Sequence, residues 1–307
     1  MAKIKYVSNC VTKSDLPIII MTNKILQKFA GYRMTLRQLF YQFVARGLLP
    51  NDVKKYKKLC KAIQNGRIGG MIDWSVIEDR TRSQRSLSHW DDPSSILDAC
   101  AEQFHVDYWQ NQKCRTEVWI EKDALLGVIE KTCNQWDCPY FSCRGYSSIS
   151  ELHEASLRIK RFEKSGQDFK ILYCGDHDPS GIDMGGSIVR TLKNFGTVFT
   201  FDRIALNIEQ IKQYNPPPNP VKKSDTRSNK YRNKFGDECW ELDSLSPQVL
   251  NEIVETAIIG CIDDMDDFNS RRDEDIEGRN QLRLVGNHFD EAHNYLYENK
   301  LKQLRGV

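Results

Sequence analysis

From Thr116 to Leu206 short apolar runs alternate with longer amphipathic stretches, and this alternation leaves few architectures open to the chain. Val118-Trp119-Ile120, Pro139 to Ser142, Lys170 to Cys174 and Val198 to Leu206 have the length and side chains of strands. Between them, Ala124 to Thr132, Ser150 to Lys164 and Ile182 to Phe195 have the length and apolar spacing of helices. Strands alternating with helices predict βαβ units and a mainly parallel sheet flanked by helices, an α/β fold. Ligands of such sheets sit beyond the carboxyl ends of the strands, so chemistry is expected in the residues that directly follow each strand.

The preceding residues are punctuated differently. Ser14 and Thr35 stand where helix caps belong, and Leu36, Leu39, Phe40, Phe43 and Val44 form a helical apolar stripe. After a break at Gly47 to Asn51, Tyr56 to Ile63 reads as a basic amphipathic helix that stops near Gly66, Gly69 and Gly70. Short β-like segments follow at Gly70 to Trp74 and around Val76 to Arg80. Helix, turn, basic helix and β-wing predict a winged-helix (CAP-like) DNA-binding domain over residues 1–85, although an ordinary helical bundle has the same composition. Residues 86–113 read as a linker holding one helix, 114–262 as the sheet domain, and 263–307 as a helical tail. Within the sheet domain, residues 215–236 carry Pro216-Pro217-Pro218, Asn219-Pro220 and six basic side chains. That stretch is predicted to be a basic loop, too proline-rich for helix or central strand. The acidic run Asp263, Asp264, Asp266 and Asp267 reads as a solvated helix end rather than a metal site.

At 307 residues the chain is long enough for two modest cores. Its net charge of +2 announces no global nucleic-acid binder, so any DNA-binding surface must be local. The 10 cysteines include no CxxC pair and read as free thiols. No apolar stretch is long enough to span a bilayer and no signal peptide is present, which makes the cytoplasm the expected compartment.

Two sets of carboxylates follow directly after predicted strands. Glu121 comes after Val118 to Ile120, and Asp176 and Asp178 come after Ile171 to Cys174. Alternate residues of an extended Asp-His-Asp segment project to one side, so the two aspartates can share one divalent cation or bracket two. The plain alternative is that these acids cap helices or face solvent.

Val118-Trp119-Ile120-Glu121-Lys122-Asp123-Ala124-Leu125, Cys143-Arg144-Gly145-Tyr146 and Gly175-Asp176-His177-Asp178-Pro179-Ser180-Gly181 together resemble the Toprim domain of the type IIB topoisomerase A subunit and its meiotic double-strand-break relative. The resemblance implies that Glu121, Asp176 and Asp178 hold Mg²⁺, with Lys122 and Arg144 near DNA. Arg144 stands where that family is expected to have a lysine, which keeps the charge and changes its geometry.

Thr35 to Tyr41 resembles the segment of the same family that ends in its DNA-cleaving tyrosine. Arg37 and Tyr41 are four residues apart and share a helical face, where a guanidinium can bind the attacked phosphate and stabilise a phenolate. Without the resemblance, Tyr41 would simply belong to the apolar face of Leu36, Phe40 and Phe43. The resemblance covers about residues 20 to 260 and extends weakly into Trp240-Glu241-Leu242.

The resemblance implies Mg²⁺-dependent cleavage of double-stranded DNA, with Tyr41 as nucleophile and a 5′-phosphotyrosyl product. Lys57, Lys58, Lys61 and Arg67 are the expected backbone contacts, and Arg80 and Arg82 of the wing are weaker ones. It also implies a homodimer in which one subunit's tyrosine meets the other's carboxylates. No ATPase sequence is present, so strand passage would need a separate B-type subunit; the stand-alone, phage- or plasmid-associated Mini-A-like proteins are the nearest likeness. That context makes a nucleoid association the expectation. A hydrolytic Toprim nuclease and a DNA-binding accessory protein remain the alternatives.

Overall fold

The computed structural model describes residues 3, 5–77, 89–143, 149–222 and 225–304. It divides into two compact units, Met1–Arg82 with Lys113–Cys261, and Ser83–Gln112 with Ile262–Val307. Three helices open the first unit: α1 (Leu16–Lys28), α2 (Leu36–Ala45) and α3 (Val53–Ile68). Thr35 caps α2 as expected, through a capping box in which its side chain accepts from Gln38 N while the Gln38 side chain accepts from Thr35 N. The first helix departs from expectation. Asp15, not Ser14, holds its N-cap position, and the Asp15 carboxylate turns back to Thr12 N and Asn65 Nδ2. Asp52 caps α3 by accepting from Lys54 N and Lys55 N, so this helix starts three residues before the basic stretch that announced it. Ile19, Ile25, Met34, Leu39, Phe40, Leu59 and Ile63 close the core between the three helices.

The segment Gly70 to Trp74, expected as a strand, is a series of turns and bends. Gly70 has a positive φ of 71°, which breaks extension, and Met71 and Ile72 donate their amides to Gly66 O at the end of α3. Ile77 instead forms an isolated parallel bridge with Met34. Arg80, Arg82 and the other residues from 78 to 88 lie outside the described residues, as do Arg144, Gly145 and Tyr146.

The remaining elements are α4 (Pro93–Gln103), β1 (Cys114–Ile120), α5 (Leu126–Gln135), β2 (Tyr140–Ser142), α6 (Ile149–Lys164), β3 (Asp168–Cys174), α7 (Pro179–Asn194), β4 (Thr200–Ala205), α8 (Ile208–Tyr214), β5 (Asn219–Pro220), α9 (Ser228–Phe235), β6 (Glu238–Cys239), α10 (Pro247–Ile259), α11 (Met265–Asn287) and α12 (Phe289–Leu304). Four strands form one sheet in the order β2-β1-β3-β4, every neighbouring pair parallel. The fold is therefore mixed α/β, with a four-stranded parallel sheet flanked by helices. Its central strands are buried almost throughout, from Arg115 to Ile120 and from Ile171 to Cys174, as parallel strands covered on both faces must be.

Residues 215–236 correct the expectation of a loop. Asn219–Pro220 pairs antiparallel with Glu238–Cys239, and Ser228–Phe235 between them is helical. The prolines end at Pro220, so the residues beyond are free to form a helix, anchored by Tyr231 and Phe235 on one face.

The second unit takes in both the expected linker and the expected tail. Helix α4 packs along α11 there, and the aromatic rings of Tyr108 and Trp109 meet Phe268 edge-on. Buried Asp275 fastens this unit by accepting from Val106 N and pairing with Arg279. Within the acidic run, Asp264 caps α11 by accepting from Asp267 N. Among the described residues no helix is long and apolar enough to cross a membrane.

Candidate active site

The register of the sheet places the site. Ile120 is paired with Cys174, so β1 and β3 end side by side, and Glu121 N donates to Cys174 O at 2.8 Å. Glu121 and the Asp176-His177-Asp178 turn therefore leave the sheet together, as expected of residues after parallel strands. Glu121 Oε2 accepts from Asp176 N at 2.8 Å. Asp178 caps α7 through Gly181 N, at 2.6 Å. A Cβ on Gly181 would lie 2.3 Å from Asp176 O and 2.9 Å from Glu121 Oε2, so only glycine lets the turn close this tightly.

Burial, then the nearby charge of Asp176, pushes Glu121 up to about 7. Burial likewise pushes Asp176 up, against the pull of Lys122. Among the described residues no three His, Cys, Asp or Glu side chains are grouped as a metal cage. Magnesium commonly binds through one or two carboxylates together with water and phosphate, and asks for no such cage. Repulsion between Glu121 and its neighbours Asp176 and Asp178 is what a divalent cation would relieve, so the donor chemistry fits an open site of that kind.

Lys122 follows Glu121 and turns inward instead of out towards solvent. Its Nζ lies 3.0 Å from Asp176 Oδ2, 3.1 Å from Glu241 Oε2 and 3.5 Å from Asp243 Oδ1. Burial works against the ammonium, yet Asp243, Asp176 and Glu241 outweigh it and keep Lys122 charged. Asp176 Oδ1 also accepts from Leu242 N at 2.8 Å. Paired backbone bonds between His177 and Trp240 hold the 240–243 segment against the aspartate turn. Glu241 and Asp243 were missed as site residues; Leu242–Ser244 is a single 3-10 turn, and no periodic pattern in the sequence marked the two acids.

His177, between the two aspartates, points away from the carboxylates. Its Nδ1 is 2.7 Å from Tyr231 Oη, while Tyr231 Oη donates to His177 O at 2.8 Å. The tyrosine proton is thereby used, so Nδ1 carries the imidazole proton. Burial, first, pulls this histidine down to about 4 and keeps it neutral.

Tyr41 and Arg37 lie on one face of α2, as their spacing requires. Tyr41 has no exposed surface, and its ring packs on Phe40. Its hydroxyl, however, is among polar groups: Asn219 Nδ2 donates to Oη at 2.9 Å and Arg37 Nη2 at 3.4 Å. Arg37 is gripped by both carboxylate oxygens of Glu241. Burial, then the charge of Glu241, pushes Tyr41 up to about 12.

A continuous polar line thus runs from Tyr41 through Arg37, Glu241 and Lys122 to Asp176, all within one chain. The tyrosine expected to serve a partner's carboxylates is joined here to those of its own chain. Comparison with protein families, curated proteins and solved structures found no match. A cavity of about 400 Å³ beside the line is walled by Arg37, Asn219, Glu241, Tyr56 and Asp178. Lys57, Lys58 and Lys61 are exposed on α3, and Arg67 stacks over Trp74 near its end. Lys122, expected to touch DNA, is instead committed to the carboxylates.

Proposed function

We propose that the chain cleaves double-stranded DNA by transesterification: Tyr41 Oη attacks a backbone phosphorus, the bond to the 3′-oxygen breaks, and a 5′-phosphotyrosyl link remains. The phenol proton passes to solvent or a nearby base, and the departing 3′-oxygen takes up another. The observation that carries this reading is the polar line joining Tyr41 to Asp176. A buried phenol hydroxyl needs one hydrogen-bond partner; Tyr41 Oη has two donors, Asn219 and Arg37, and the second is tied to a carboxylate cluster.

In this reading the N-terminal helices are a winged-helix unit and the sheet a Toprim domain of the type IIB topoisomerase A-subunit family, nearest the stand-alone Mini-A-like proteins. Glu121, Asp176 and Asp178 would hold Mg²⁺, which when bound would supply positive charge to the phosphate. Arg37 is the group that takes the phosphate. In the free chain Glu241 holds it over the tyrosine; a DNA phosphate competes with Glu241 for the guanidinium and uncovers Oη. The amino end of α7 presents its partial positive charge on the same side. Lys57, Lys58, Lys61 and Arg67 bind the backbone.

Two strands require two tyrosines, hence a homodimer, and strand passage would call on a separate ATPase subunit. Mixing Tyr41→Phe with Asp176→Asn chains separates the two possible arrangements: nicking by the mixture alone means a shared site, and no nicking means a site within one chain. A cytoplasmic, nucleoid-associated setting follows from the substrate.

The direct test is supercoiled plasmid with Mg²⁺, stopped with detergent and run with and without protease. Protease-dependent linear DNA, lost in Tyr41→Phe, is expected. The complete burial of Tyr41 favours a second reading, a hydrolytic nuclease in which the carboxylates activate water and Tyr41 only packs. Protease-independent cutting by both proteins would establish it.

A further inference from the structure

The polar environment of the Tyr41 hydroxyl comes partly from the proline-rich segment, which no sequence motif connects to α2. Asn219 Nδ2 donates to Tyr41 Oη at 2.9 Å, and Asn219 Oδ1 accepts from Asn51 Nδ2 at 2.6 Å. Asn51 Nδ2 also lies 3.3 Å from Pro218 O, an acceptor only, so the atom of Asn51 at this place is its amide nitrogen. The atom of Asn219 facing it is then the oxygen, and the nitrogen is the atom turned to Tyr41.

We infer that Asn219, oriented by Asn51, is the donor that stabilises the Tyr41 phenolate, making Asn219 a catalytic residue and Asn51 a positioning residue; the inference rests on the transesterase reading. Two donors on one phenolic oxygen, Asn219 and Arg37, favour its charged form, because hydrogen bonds to an anion are stronger than those to a neutral group.

The two donors are not equivalent. Arg37 is shared with Glu241 and is the group a DNA phosphate takes up. Asn219 is neutral and stays in place. Pro218 and Pro220 flank it, and its backbone is paired with Cys239, so its amide is fixed before any charge develops. The charged groups facing Oη are Arg37 from its own helix, Glu241 from the segment after β6 and Lys122 from the end of β1. Glu241 opposes ionisation. Asn219, Arg37 and Lys122 favour it.

The test places 3-fluorotyrosine at position 41 alone and follows its ¹⁹F resonance with pH in the whole chain without DNA. Asn219→Leu removes the donor. Asn219→Asp keeps the shape and sets an acceptor against the phenol, so it also serves should the leucine variant fail to fold. Both are expected to move the titration upward by about one pH unit or more, a tenfold or greater fall in the ionisation constant, with Asn219→Asp moving further. Asn51→Ala is expected to move it in the same direction by less. Titrations of both Asn219 variants that superpose on the wild type would overturn the assignment. The readout needs no cleavage, so the two claims can fail separately. A shift without any Tyr41-dependent protein–DNA link defeats the transesterase and leaves the donor; a link without the shift does the reverse.

Discussion

Lys122 Nζ lies 3.0 Å from Asp176 Oδ2, so a cation supplied by the chain already stands against the carboxylate expected to hold a metal. Removing that ammonium leaves Asp176, Glu241 and Asp243 together with too little compensating charge. Lys122→Met is therefore expected to lower folding stability by about 3–5 kcal/mol, the usual cost of breaking a buried ion pair from one side. Mg²⁺ is expected to raise the thermal midpoint of the variant more than that of the wild type. Equal midpoints for the two proteins in a metal-free melt would show that the ammonium is not needed there.

Glu241 grips the guanidinium that a DNA phosphate must take. Glu241→Gln keeps the shape and removes the competing charge, so duplex binding at low salt is expected to tighten by about three- to tenfold, consistent with one added phosphate contact. Fluorescence anisotropy with a labelled duplex measures this directly. Unchanged or weaker binding contradicts the proposed competition.

The basic face of α3 makes a prediction in salt. Each phosphate neutralised contributes about 0.9 to the slope of log affinity against log salt. Replacing Lys57 and Lys61 by alanine is expected to make that slope shallower by about 1.8, with little change in thermal stability because both side chains are exposed. A slope that does not move removes this face from the interface.

His177 sets a dependence on pH. Its folded pKa, about 4, is below the ordinary value of 6.5, so between these limits the unfolded chain binds a proton that the folded chain does not. Stability from this group is complete above pH 6.5 and declines as pH falls towards 4. The advantage of wild type over His177→Phe is expected to shrink across that window by on the order of 3 kcal/mol. Comparing the two proteins isolates the histidine from Glu121, whose raised pKa acts with the opposite sign. Urea melts at pH 7, 5.5 and 4 give the difference at each point, and a constant difference would contradict the neutral, buried imidazole.

Much of this architecture was legible because it depends on local pattern. The strands announced themselves as apolar runs, the Thr35 box lay within four residues, and a parallel sheet brings Glu121 beside Asp176 whenever β1 and β3 are neighbours. The helix at Ser228–Phe235 was hidden by the prolines before it, although Tyr231 and Phe235 are spaced as helix neighbours. The partners of the site were less accessible for a different reason. Asn219 reaches Tyr41 across 178 positions and Lys122 reaches Glu241 across 119, and no spacing rule connects residues so far apart. The inward turn of Lys122 was hidden likewise: only the carboxylates of the 240–243 segment make burying an ammonium favourable.

The most direct measurement is to identify the amino acid that becomes attached to DNA. Wild-type chain incubated with duplex and Mg²⁺, trapped in detergent, digested with nuclease and trypsin and analysed by mass spectrometry is expected to yield one nucleotide-bearing peptide, with the modification on Tyr41 and a free 3′-hydroxyl on the cut DNA. A modified peptide carrying another residue, or cut DNA with no peptide attached, would contradict the assignment of Tyr41 as the nucleophile.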